Sequence, residues 1–174
     1  GNHDTREKLW KRLPFLKKEQ MGLHTDVLEL PHTNLILLDT GKRGTMEGKQ
    51  LDWLEQQLDK HTDKPALVFA HFNPLPNRGV RPIRGMRDGE VLLKILAQRK
   101  HAKAYIHGHT HEWQHSKTGS IEIIGQPAVS YYFGKGHAHG WIDMKLSEKS
   151  ADLELYCIDA THSQHGEQKQ IPFR

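Results

Sequence analysis

With 174 residues and a mass of 20.1 kDa, the chain has room for one domain with a sizeable core and too little for two. Its 25 basic and 21 acidic residues are mostly interleaved, so the formal charge of +4 builds no stripe of the kind that grips nucleic acid, and Lys17-Lys18 and Lys42-Arg43 are too short to make one. No run approaches the roughly 18 apolar residues of a membrane span, and the single cysteine, Cys157, excludes an internal disulfide and a thiolate metal cage.

The chain opens on GNHD, a turn stretch of the kind that joins a strand to a helix, with no initiator Met before it. TREKLWKRL (5–13) has helical spacing and stops at Pro14, and Asp4 is a candidate N-cap for it. TDVLEL and NLILLDT read as two strands joined by a turn at Pro31-His32. MEGKQLDWLEQQLDKH (46–61) places Leu51, Leu54 and Leu58 on one face of an amphipathic helix. PALVFAH (65–71) is a short unbroken apolar run, the pattern of a strand buried on both faces. A loop rich in Pro, Gly and Arg follows, then a helical EVLLKILAQRK, then AKAYIHGHTH, a second buried strand running into a polar loop. SIEIIG, AVSYYF, GWIDMKL and ADLELYCI read as strand after strand, with Cys157 a small core residue of the last. No repeat, linker or low-complexity segment divides residues 1–174, which reads as one domain; the alternation of strands and helices followed by a run of strands predicts an α/β sandwich with a mixed central sheet.

The outlier in the composition is histidine, with 14 copies. Asn2 and His3 lie in the opening turn, His71 at the C-terminal end of one buried strand, and His107, His109 and His111 at the end of another. Ligand sites of α/β sheets form at strand C-termini. His109 and His111, one residue apart, can point to the same side of an extended segment, with Gly108 letting the backbone turn beneath them. Each element has a plain reading by itself: a satisfied polar residue for His71, a simple turn for GNHD. A surface loop accounts for the other His-x-His, GHAHG (136–140), and solvated turns for His24, His32, His61, His101, His115, His162 and His165.

GNHD, then AHFNPLP, then GHTH, in this order, resembles the calcineurin-like metallophosphoesterases. LLDTGKRG…GKQLDWLEQQL resembles the segment between the first two of these motifs, and GMRDGEVLLKILAQRKHAKAYIHGHTH is similar to the cyclic-nucleotide phosphodiesterase branch. The resemblance covers residues 1 to about 115. It implies part of a four-layer α/β/β/α sandwich with mixed sheets, and a two-metal site that hydrolyses phosphate esters, with phosphodiester or cyclic-nucleotide substrates favoured over monoesters. Carried across, Asn2, His71 and His109 would ligate one metal and His111 the other, while His3 would contact the substrate phosphate and protonate the leaving oxygen. Such a pair of cations, about 3.5–4 Å apart, activates a water and neutralises charge on the phosphoryl oxygens. An all-N/O donor set suits Mn, Fe or Zn. His107 could support the ligands from behind, Asp4 could orient His3, and one of Arg78, Arg81, Arg84 and Arg87 could reach an anionic substrate.

In the family two further motifs, Asp-x-His and Gly-Asp-x-x-Asp, stand upstream of Gly-Asn-His, and neither stands ahead of GNHD in this sequence. They supply most ligands of the first metal and the bridging carboxylate, so the chain is expected to be the C-terminal part of a longer metallophosphoesterase, cut at its third motif. On that expectation, these residues alone bind metal weakly, hydrolyse esters poorly, and carry sheet edges left uncovered. A non-catalytic protein-interaction scaffold of the same fold is the alternative. A nuclease would need a concentrated basic groove that the interleaved charge does not provide. Compartment, oligomeric state and metal identity are left open.

Overall fold

The computed structural model describes residues 1–16, 22–46, 48–75, 85–131 and 133–174. Helix α1 spans Arg6–Arg12, and its N-cap is Thr5, whose Oγ1 accepts from the Lys8 N–H at 3.2 Å. Asp4 therefore does not cap the helix: its carboxylate takes the Gly1 amino group at 3.0 Å instead. Strands β1 (Asp26–Glu29) and β2 (Asn34–Leu37) form the expected hairpin, followed by α2 (Gly48–Lys60), β3 (Ala66–Ala70), α3 (Gly89–Ala97) and β4 (Ala102–His107). Strands β5 (Gln114–Thr118) and β6 (Ile121–Gly125) form a second hairpin, and β7 (Gly140–Leu146), β8 (Ser150–Cys157) and β9 (Gln168–Pro172) a separate antiparallel sheet.

The larger sheet has the order β1-β2-β3-β4-β6-β5, in which β2, β3, β4 and β6 run parallel and the two edge strands run antiparallel. Parallel neighbours need a crossover, and α2 and α3 supply it between β2, β3 and β4. The inner strands show why their sequences are apolar without alternation. Ile36, Val68, Tyr105 and Ile123 project into a core with Leu54 and Leu58 of α2 and Leu92, Leu93 and Leu96 of α3. Their neighbours Leu35, Leu67, Ala104, Ile106 and Ile124 project to the opposite face, against Ala151, Leu153, Leu155 and Ile171 of the smaller sheet. Burying each of these leucines and isoleucines contributes about 1.5–3 kcal/mol. The layers run helix, sheet, sheet, as part of an α/β/β/α sandwich requires.

Two further expectations are corrected, and two strands had no signal. AVSYYF is no strand: among its described residues only Ala128 pairs, in an isolated bridge to His139, and Val129, Tyr131 and Phe133 are exposed. Strands β5 and β9 were invisible because QHSKT and QKQIP are polar, with exposed edges. His61 is not solvated but buried at the end of α2, its Nδ1 3.8 Å from the Glu29 carboxylate. Cys157 is buried and free, as expected. Among the described residues no helix is long and apolar enough to cross a membrane.

Candidate metal centre

The strand register places the site. Ala70 pairs with His107, so β3 and β4 end side by side, and His71 and the HGHTH turn leave the sheet at the same edge. Two backbone hydrogen bonds fix that exit: Gly108 N–H donates to the His71 carbonyl at 3.1 Å, and Thr110 N–H to the Gly108 carbonyl at 2.7 Å. Tyr105, fully buried, donates its hydroxyl to the Phe72 carbonyl at 2.8 Å and pins the residue after His71.

On this frame Asn2, His71 and His109 come together. Asn2 Oδ1 lies 2.9 Å from His71 Nε2, and the ring centroids of His71 and His109 are 5.1 Å apart. Phe72 packs on both imidazoles, 5.2 Å from His71 and 4.2 Å from His109. The expectation that His109 and His111 share one side of an extended segment is corrected. Both have left-handed backbones, with φ of 63° and 57°. In consequence the His109 ring packs toward Phe72 and His71, whereas the His111 ring packs on Phe133 at 4.3 Å and on Tyr131 at 4.8 Å. His3 is exposed.

Burial sets the protonation state. It pushes His71 down to about 4, helped by the positive charges around it, and pushes His107 down to about 4 against the opposing pull of the Gly108 carbonyl. His109 and His111 are also lowered, by burial first and by neighbouring imidazole charge next, although the Tyr131 carbonyl works the other way at His111. Neutral imidazole is the form that ligates a metal. The Nδ1 atom of His111 is buried without a hydrogen-bond partner. The 2.9 Å between Asn2 Oδ1 and His71 Nε2 is close to the separation of adjacent ligands on an octahedral ion with bonds of about 2.1 Å. The donor chemistry thus fits one side of a metal centre. Among the described residues no group of three or more His, Cys, Asp and Glu side chains gathers closely enough to hold an ion. His107 lies behind the turn, its Nδ1–H donating to the Gly108 carbonyl at 2.9 Å.

A cavity of about 650 Å³ opens beside His71, lined by α1 and by the 38–45 segment that follows β2. Among its walls are Asp4, Arg6, His24, Asp39, Lys42, Arg43 and Arg87. Arg87 is exposed; Arg78, Arg81 and Arg84 lie outside the described residues. Sequence reasoning missed the aromatic frame of Phe72, Tyr131 and Phe133 and this basic cavity. The signal for the cavity was present in DTGKRG, a basic loop at a strand C-terminus, the place where such sheets hold ligands.

Comparison with known proteins agrees with this geometry. Residues 1–113 match the family described as calcineurin-like phosphoesterase. A 3',5'-cyclic adenosine monophosphate phosphodiesterase of Haemophilus influenzae is 29% identical over 138 residues, covering 76% of this chain and 49% of that protein. A probable cyclic nucleotide phosphodiesterase of Synechococcus sp. is 30% identical over 170 residues, 91% of this chain and 63% of that one. A crystal structure of a dimetal phosphatase from Danio rerio superposes with a TM-score of 0.77 at 17% identity, over all of this chain and 71% of its own, which shows a common fold. The chain spans about half to two thirds of the length of these curated relatives. Motif order, strand-end histidines and family match lead to one placement: the chain belongs to the calcineurin-like phosphoesterase family.

Proposed function

We propose that residues 1–174 are part of a single metallophosphoesterase domain and supply one face of a two-metal centre that hydrolyses phosphate esters, phosphodiesters above monoesters. The observation that carries this reading is the meeting of Asn2, His71 and His109 at the C-terminal edge of the sheet, with His111 beside them. The relatives named as cyclic nucleotide phosphodiesterases support the diester preference. Asn2, His71 and His109 would hold one ion and His111 a second, of Mn, Fe or Zn. When bound, such ions supply an activated water and neutralise charge on the phosphoryl oxygens. The chain's own residues orient and protonate. Phe72 fixes the His109 ring, Phe133 and Tyr131 fix that of His111, and burial keeps the imidazoles neutral so that their lone pairs stay available. His3, which is exposed, would touch the substrate phosphate and give a proton to the departing oxygen.

The test combines metal content with Mn-supported hydrolysis of a chromogenic phosphodiester and monoester, on this chain and on the longest natural polypeptide that contains it. The expected result is metal uptake and diester turnover in the longer form, both lost in His109→Ala, with the 174-residue chain binding weakly. Absence of metal and of hydrolysis in both forms would replace the proposal with the non-catalytic scaffold.

A further inference from the structure

The basic cavity beside His71 holds more positive charge than a single phosphodiester needs. Its inner carboxylate is already committed: Asp39 accepts from Arg6 Nε at 2.5 Å, from the His24 N–H at 3.1 Å and from the Gly41 N–H at 2.9 Å. Burial favours the protonated form of Asp39, yet these hydrogen bonds outweigh it and keep the carboxyl below its ordinary range. Arg6 and Asp39 therefore cancel one another. Asp4 stands at the cavity's edge. Lys42, Arg43 and Arg87 line the same cavity, are exposed, and join no ion pair among the described residues.

These three cations come from two distant segments, and the fold locks the segments together. Arg87 N–H donates to the Gly44 carbonyl at 2.9 Å, and Met46 N–H to the Asp88 carboxylate at 2.7 Å. Gly44 sits at φ 63°, where a side chain would meet the Phe72 ring at 3.0 Å. Phe72 is the residue that packs on His71 and His109. The loop carrying Lys42 and Arg43, the segment carrying Arg87 and the histidine cluster thus share one braced frame, and the cavity between them has the volume of a small-molecule site.

We infer that Lys42, Arg43 and Arg87 form an anion subsite for a second phosphate group carried by the substrate, so that diphosphate-containing esters are the preferred class. This rests on the phosphoesterase reading for its link to catalysis, but the subsite itself is testable without turnover. The 174-residue chain, in chelator-treated buffer of low ionic strength, is titrated calorimetrically with inorganic pyrophosphate and, separately, with orthophosphate. Pyrophosphate is expected to bind more tightly than orthophosphate, and Lys42→Glu/Arg43→Glu and Arg87→Glu each to weaken it by about tenfold or more. A distant charge reversal, Lys145→Glu/Lys149→Glu on the smaller sheet, is expected to leave it unchanged. Equal affinity for the two anions, wild-type binding by the cavity variants, or an equal loss in the distant variant would each overturn the subsite. The phosphoesterase reading fails on a different observation, the absence of ester hydrolysis in the metal-loaded longer form.

Discussion

At the scale of single residues, the HGHTH turn joins chemistry to strain. His109 and His111 occupy the left-handed region that glycine fills without penalty and other residues at a cost of about 1–2 kcal/mol. The motif order and the strand-end positions of the histidines were legible in the sequence, because residue type and neighbouring apolar runs carry them. The backbone inversion was not, since nothing in His-Thr-His names a positive φ, and without it the two rings were expected on one side. The turn is held by a local hydrogen bond from Thr110 to Gly108 and by one from Gly108 to His71, which only the assembled sheet provides. His109→Gly is therefore expected to be more stable than His109→Ala by about 1 kcal/mol, because alanine keeps the penalty and glycine relieves it. Urea unfolding of the two variants checks this, and equal midpoints would show that the turn relaxes once the imidazole is gone.

The elements whose sequences are apolar on both faces, β2, β3, β4 and β6, were readable, as were α1 and the amphipathic α2. Strands that are polar, such as β5, owe their existence to a partner: QHSKT pairs with IEIIG across five residues, and its Lys117 and His115 both reach Glu122, at 2.7 and 2.8 Å. No local pattern announces such a strand. Burial raises the pKa of Glu122, but Lys117 and His115 pull it below the ordinary glutamate range. A folded pKa below the unfolded one means stability present above about pH 4 and lost as the pH falls through the folded value. Glu122→Gln is therefore expected to cost about 1–2 kcal/mol at neutral pH, with the gap to wild type closing toward pH 3. Thermal unfolding across that range measures it, and a gap independent of pH would remove the charge from the explanation. Helix α3 carries a steric counterpart. A Cβ on Gly89 would fall 1.6 Å from the Pro74 carbonyl oxygen, so Gly89→Ala must displace the loop after His71 and should lower stability by about 2–3 kcal/mol. Wild-type stability of that variant would mean that the loop yields freely.

For the whole molecule, the apolar runs showed that the inner strands bury two faces, while the covering of one face by helices and of the other by a second sheet was implied by the family resemblance. What the sequence could not show was how the donors divide. Folding packs His71 with Asn2 and His109, and His111 against Tyr131 and Phe133. If these are two half-sites, metal should stabilise the chain through the first group alone, because one imidazole is too little to hold an ion. Free Mn or Zn at about ten times its dissociation constant adds about 1.4 kcal/mol, an upward shift in Tm of about 3–5 °C for a chain of this size. His71→Ala and His109→Ala should lose the shift, His111→Ala should keep most of it, and a chelator should reverse it in every case. Scanning calorimetry with and without metal reads all three variants. Loss of the shift in His111→Ala, as complete as in His109→Ala, would merge the four donors into one site and require that the His111 ring leave Phe133 when metal binds.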